Sequence, residues 1–210
     1  MKNGFMKSNI ENTIINLEKN NIRGYYVSGA EELHALLEDL IPDGSTVGCG
    51  DSVTLEQLNV LDYLRDKDVL FYDKHKQGLN STDKRELYLK NFRADFFVSG
   101  VNAVTETGEL INIDGNGSRV APIIYGPPKV ILIAGTNKLV KNSEDGKIRA
   151  RQVAAPLDSK RLNRNTPCAA TGHCTDCKSP DRICNTFVMI ARQFDPERIH
   201  VILVEGDYGY

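Results

Sequence analysis

Lys129-Val130-Ile131-Leu132-Ile133-Ala134-Gly135 is the stretch on which the fold turns. It carries five apolar residues in unbroken succession. A strand with one wet face alternates apolar and polar side chains. A strand buried on both faces reads as a continuous run, which is how parallel sheets covered by helices are written in sequence. The run is strand-length and far too short to cross a bilayer. Ile199 to Val204 repeats the pattern, and Tyr25–Val27, Thr46–Gly48, Val69–Tyr72, Asp95–Ser99 and Glu109–Ile113 are shorter strand candidates. Helical periodicity fills the gaps between them. Ile10, Ile14 and Leu17 share one face of 6–21, and Leu33, Leu36, Leu37 and Leu40 share one face of Ala30–Leu40, which Pro42-Asp43-Gly44 closes. Thr54-x-x-Gln57 fits a capping box opening a further helix, and 83–92 and 141–153 read as helices too. Strands alternating with helices predict an α/β fold with a largely parallel central sheet and helices on both faces.

The chain has 210 residues, 40% of them hydrophobic and 26% charged, with a net charge of −2. That length can bury a sizeable core without disulfides. No block of Lys and Arg stands out, so neither a nucleic-acid nor a membrane footprint is expected. The start, Met1-Lys2-Asn3-Gly4-Phe5-Met6-Lys7, leads into a polar helix and lacks the apolar stretch of a signal peptide. A cytoplasmic location is therefore expected, and there clustered cysteines read as metal ligands rather than disulfides.

Such a cluster is present: Cys168, Cys174, Cys177 and Cys184 lie in Thr166-Pro167-Cys168-Ala169-Ala170-Thr171-Gly172-His173-Cys174-Thr175-Asp176-Cys177-Lys178-Ser179-Pro180-Asp181-Arg182-Ile183-Cys184. The composition shifts at Pro156, which divides an α/β body (1–155 and 199–210) from a C-terminal cysteine-rich segment (156–198). Four thiolates match the ligand count of a 4Fe-4S cluster. Structural zinc usually takes two C-x2-C pairs, whereas here only Cys174-x2-Cys177 is one, so an iron–sulfur cluster is expected ahead of zinc. Unliganded or disulfide-linked thiols are the bland alternative. His173 is either an extra ligand or an exposed loop residue. Cys49, between Gly48 and Gly50, reads as a small buried residue.

Several motifs carry a resemblance across nearly the whole chain. They are Gly48-Cys49-Gly50-Asp51-Ser52-Val53-Thr54-Leu55, Gly100-Val101-Asn102-Ala103-Val104-Thr105-Glu106-Thr107-Gly108-Glu109-Leu110, Tyr125-Gly126-Pro127-Pro128-Lys129-Val130 and Gly135-Thr136-Asn137-Lys138-Leu139-Val140. Together they resemble the LUD (lactate-utilisation) domain family, and the cysteine tail resembles its cysteine-bearing single-domain branch. The resemblance implies an isomerase/CoA-transferase-like α/β fold. It also implies a part in oxidising L-lactate to pyruvate within an iron–sulfur, multi-subunit system, with a small anionic substrate and partner subunits. Three readings of activity stay open: an electron-transfer component of that oxidation, a CoA-transferase or sugar-phosphate-isomerase-like enzyme with structural cysteines, and a metal-stapled binding domain.

The candidate ligand residues follow strands, where open α/β sheets gather their sites. Gly48, Gly50, Asp51 and Ser52 form a strand-to-helix turn whose glycines would let the backbone approach an anion. Asp51 could instead cap the helix. Thr105-Glu106-Thr107-Gly108 resembles the Ser-Glu-Asn-Gly loop of CoA transferases, whose glutamate is the nucleophile, with Thr107 in place of asparagine. That makes Glu106 the candidate catalytic residue, against the alternative of an ordinary turn. Arg119 is a candidate bidentate anion ligand, and Asn137 and Lys138 follow the strand ending at Gly135. The turn at 48–52, the loop 105–108 and the segment 135–138 are expected to converge on one pocket.

Overall fold

The structure, a computed structural model, describes residues 2–210, with side chains from Asn9 onward. The strands in chain order are β1 (Arg23–Val27), β2 (Thr46–Cys49), β3 (Leu70–Tyr72), β4 (Phe96–Gly100), β5 (Ala103–Thr105), β6 (Leu110–Asp114), β7 (Lys129–Gly135), β8 (Leu139–Val140), β9 (Thr186–Ile190) and β10 (Ile199–Val204). The helices are α1 (Lys2–Lys19), α2 (Ala30–Leu40), α3 (Val53–Gln57), α4 (Val60–Asp66), α5 (Ser81–Lys90), α6 (Val120–Ile124), α7 (Ser143–Arg149), α8 (Ala155–Arg161) and α9 (Pro167–Thr171).

Six strands form the central sheet in the order β1-β10-β7-β4-β2-β3, every neighbouring pair parallel. The apolar run of β7 sits near its middle and is buried on both faces, as its lack of alternation requires. Ile131 and Ile133 join Leu33 and Leu37 of α2, Leu55 of α3 and Leu64 of α4 on one side. Val130, Leu132 and Ala134 join Leu17 of α1, Phe97 and Ile123 on the other. A smaller sheet, β8-β5-β6-β9, packs beside the first. Its strand β9 lies within the expected cysteine-rich segment 156–198 and pairs antiparallel with β6, Met189 opposite Ile111.

Some local readings are corrected. The cap of α3 is Ser52, whose hydroxyl accepts from Leu55 N at 3.5 Å, and not Thr54, which is buried two positions further in. The helix expected over 141–153 starts at Ser143, where Asn142 caps it. It then runs through a π turn, Ala150–Ala154, directly into α8. Pro156 lies directly after that π turn, inside one continuous stretch of helical backbone; proline brings no N–H to the helix ladder, and π turns are among the places where such a ladder is interrupted.

From β2 the chain steps outward to β3 and then returns to the other side of β2 as β4. The connections leaving β2 and β4 therefore diverge, and this splitting opens a crevice beyond the carboxyl ends of the strands, where ligands of open α/β sheets bind.

Candidate functional site

A cavity of about 440 Å3 fills that crevice. The turn after β2 supplies Gly50, Asp51 and Ser52, the end of β3 supplies Lys74, the end of β4 supplies Gly100 to Asn102, and Lys138 follows β7. The loop after β6 adds Asp114 and Arg119, and α8 closes one side with Asp158 and Arg161. The glycines serve close packing here. A Cβ on Gly50 would lie 2.2 Å from Ser99 Oγ and 2.9 Å from Arg119 Cγ, and one on Gly48 would lie 2.3 Å from Asn91 Oδ1. Gly48 thus lets β2 pack against Asn91 and does not line the cavity.

Asp51 Oδ2 accepts from Arg161 Nη2 at 3.1 Å, and Arg161 also holds Asp158 at 2.8 Å. Asp51 Oδ1 is buried and has no partner. Burial pushes the Asp51 carboxyl up, but Lys74 and Arg161 beside it more than offset that and hold it below its ordinary value. It is therefore ionised at neutral pH. Burial pushes Lys74 down, against the pull of Asp51. Burial also pushes the Cys49 thiol up to about 11, so it stays protonated and is no nucleophile.

Lys138 is 3% exposed. Its Nζ donates to Thr54 Oγ1 at 2.7 Å, and the Thr54 hydroxyl donates onward to the Tyr208 carbonyl at 3.2 Å. Among the described residues no carboxylate pairs with Lys138 or with Lys74. Burial, with the Arg149 and Arg119 guanidiniums adding, lowers Lys138 to about 7.

Other expected ligands have structural work. Arg119 spends its guanidinium on the protein: Nη1 donates to Gly100 O and Asn112 Oδ1, and Nη2 to Asn102 Oδ1 and Ile113 O, all within 2.7–3.0 Å. Its Nε faces Asp114 at 3.9 Å. It knits β4 to β6 at the cavity wall with all four of its Nη N–H groups, which leaves only Nε–H without a hydrogen bond. Asn137 clamps the final segment, donating to Gly209 O and accepting from Tyr208 N. Glu106 does not line the cavity. It lies in the β5–β6 turn against α1, where Asn9 Nδ2 donates to its Oε1 at 3.2 Å and Asn16 Nδ2 to its carbonyl at 2.8 Å. Two of the three expected loops therefore converge, and the third docks a helix.

The cysteines are all free thiols. Among the described residues no three His, Cys, Asp or Glu side chains are grouped so as to hold a metal ion. Cys168 is buried on α9 with its Sγ 3.3 Å from Thr166 Oγ1. Cys174 lies beside Arg151 at 3.9 Å. Cys177 and Cys184 both accept, through their carbonyls, from Arg182. The donor chemistry suits iron–sulfur or zinc, but as placed these thiols do not form a ligand set.

The sequence reading missed Lys74, Arg161, Asp158 and Thr54. Lys74 was recoverable, since it stands just past the end of β3. Arg161 was hidden, because it reaches Asp51 across 110 residues from a segment read as a metal-binding tail.

No protein of curated function matches the chain. Among solved structures it is similar to a DUF162 family protein from Deinococcus radiodurans, with 17% identity and a TM-score of 0.51 over 96% of this chain and 97% of that one. It is also similar to ribose 5-phosphate isomerase from Plasmodium falciparum, with 19% identity and a TM-score of 0.33 over 54% and 52%. At 17% identity the first likeness is one of fold alone, and at a TM-score of 0.33 the second carries no argument. No helix among the described residues is long and apolar enough to cross a membrane. The LUD domain model matches residues 10–204, and the chain belongs to that family.

Proposed function

We propose that the crevice binds a small carboxylate of the 2-hydroxy- or 2-oxo-acid class, and that the protein serves as a component of lactate oxidation. The observation that carries this reading is the basic lining of the cavity: Lys138 has no carboxylate beside it among the described residues, and Asp51, the carboxylate that pulls on Lys74, is shared with Arg161. A buried cation lacking a counter-ion is costly, and a bound anion relieves that cost. Asp51 completes the match: its unpartnered, ionised Oδ1 can accept from a substrate hydroxyl. Membership of the LUD family supports lactate and pyruvate within this class. Calorimetric titration of L-lactate, pyruvate and inorganic phosphate tests the reading. L-lactate or pyruvate is expected to bind, and Lys74→Met to weaken that binding at least tenfold, a loss of about 1.4 kcal/mol. Binding of neither acid rejects it.

The thiols carry a second reading. Burial pushes the Cys184 thiol up, Arg182 opposes it, and the neighbouring Cys174 and Cys177 add smaller upward pushes. Cys174 and Cys177 thus each lie near Cys184. We infer that a rearrangement of 172–185 would let Cys168, Cys174, Cys177 and Cys184 hold an iron–sulfur cluster, with zinc as the alternative. Iron, zinc and acid-labile sulfide assays on anaerobically prepared protein decide it. Metal content no higher than in a variant with all four changed to Ser rejects it.

A further inference from the structure

We propose that Lys138 condenses with the carbonyl of a small 2-oxo acid to form an imine, so that the oxo form of the substrate is held covalently and the hydroxy form is not. This rests on the carboxylate-binding reading of the same crevice and deepens it. The geometry has three parts. Lys138 lines the cavity yet is almost wholly shielded from solvent. No carboxylate among the described residues pairs with it, and its charged neighbours are the Arg149 and Arg119 guanidiniums. Its one side-chain partner is an acceptor: the Thr54 hydroxyl proton is directed to Tyr208 O, so the Thr54 oxygen receives a hydrogen from Nζ at 2.7 Å. A neutral amine has two N–H groups and one lone pair. Thr54 fixes one N–H and leaves the lone pair unengaged. The lowering to about 7 supports the same picture, because it leaves a large share of Lys138 unprotonated at neutral pH.

The chemistry balances without a further reagent. The Lys138 lone pair attacks the carbonyl carbon, a C–N bond forms, and the π electrons move to oxygen. A proton passes from nitrogen to that oxygen to give a carbinolamine. The C–O bond then breaks, the hydroxyl leaves with a second proton as water, and C=N forms. The charged cavity wall, with Lys74 nearest the Asp51 turn, holds the carboxylate while this happens.

The test is reductive trapping on the full chain. Protein is incubated with pyruvate and cyanoborohydride, which delivers hydride to the imine carbon, and is then digested and mapped by mass spectrometry. The expected result is a reduced pyruvate adduct on Lys138, blocked by excess oxalate, absent with L-lactate, and forming faster as pH rises through about 7. Mapping the wild-type chain requires no variant to fold, and Lys138→Met, if folded, should lose the adduct. Modification spread over exposed lysines, or none at Lys138, overturns the proposal. A parallel titration of pyruvate without reductant separates the two levels. Binding without an adduct at Lys138 rejects the imine and leaves the carboxylate site standing, whereas no binding of pyruvate or L-lactate rejects both.

Discussion

Lys138 and Arg119 are both buried cations at one crevice, yet the structure gives them opposite duties. Arg119 donates to four protein acceptors and faces the Asp114 carboxylate. Arg119→Met should therefore cost about 3 kcal/mol of stability, because it orphans buried acceptors, and denaturant unfolding measures this. Lys138 has no such support. Its folded value of about 7 lies below its ordinary 10.5, so the unfolded chain binds more protons between those pH values. The stability it permits is complete above about pH 10.5 and is lost as pH falls to about 7, by at most about 1.4 kcal/mol per pH unit. Lys138→Met should accordingly raise the melting temperature at neutral pH, with a gain that vanishes as pH approaches 10.5. A gain that does not change with pH would show that Lys138 is not held neutral. These duties were half legible in sequence: position after a strand marked Lys138, whereas nothing local shows that a guanidinium is already spent.

At the scale of elements, the apolar runs Val130–Ala134 of β7 and Val201–Val204 of β10 announced a two-sided parallel sheet because neither alternates with polar side chains. β5 and β8, of three and two residues, are too short to show a period. α8 was obscured by reading Pro156 as a break, when the helix passes it directly after the π turn Ala150–Ala154. The turn between β5 and β6 shows how a motif can mislead. Its Glu-Thr-Gly resembles a nucleophile loop, but α1 claims it: Asn16 and Asn20 side chains donate to the carbonyls of Glu106, Thr107 and Gly108. Gly108 has φ +87, and a Cβ there would lie 2.6 Å from the Asn16 backbone. Gly108→Ala should destabilise by about 2 kcal/mol or more in thermal or denaturant unfolding. Glu106→Gln should leave L-lactate and pyruvate affinity unchanged in calorimetry. A tenfold loss would return Glu106 to the site.

Across the whole molecule, the order β1-β10-β7-β4-β2-β3 makes the β2/β4 boundary the place where connections part, and every group assigned to the anion site is carried there. Sequence could locate the strand ends but not their order, which depends on pairings across most of the chain. For the same reason it could not show that α8 would bring Arg161 to Asp51. The account's central claim is that this crevice is the carboxylate site. The most direct measurement is a crystal structure grown with L-lactate, which has no carbonyl to condense and so reports binding alone. The account predicts difference density for the acid between Asp51 and Lys138, with its carboxylate within hydrogen-bond distance of Lys74 or Lys138. Density for L-lactate elsewhere, or an unliganded crevice at a concentration where calorimetry shows saturation, would contradict it.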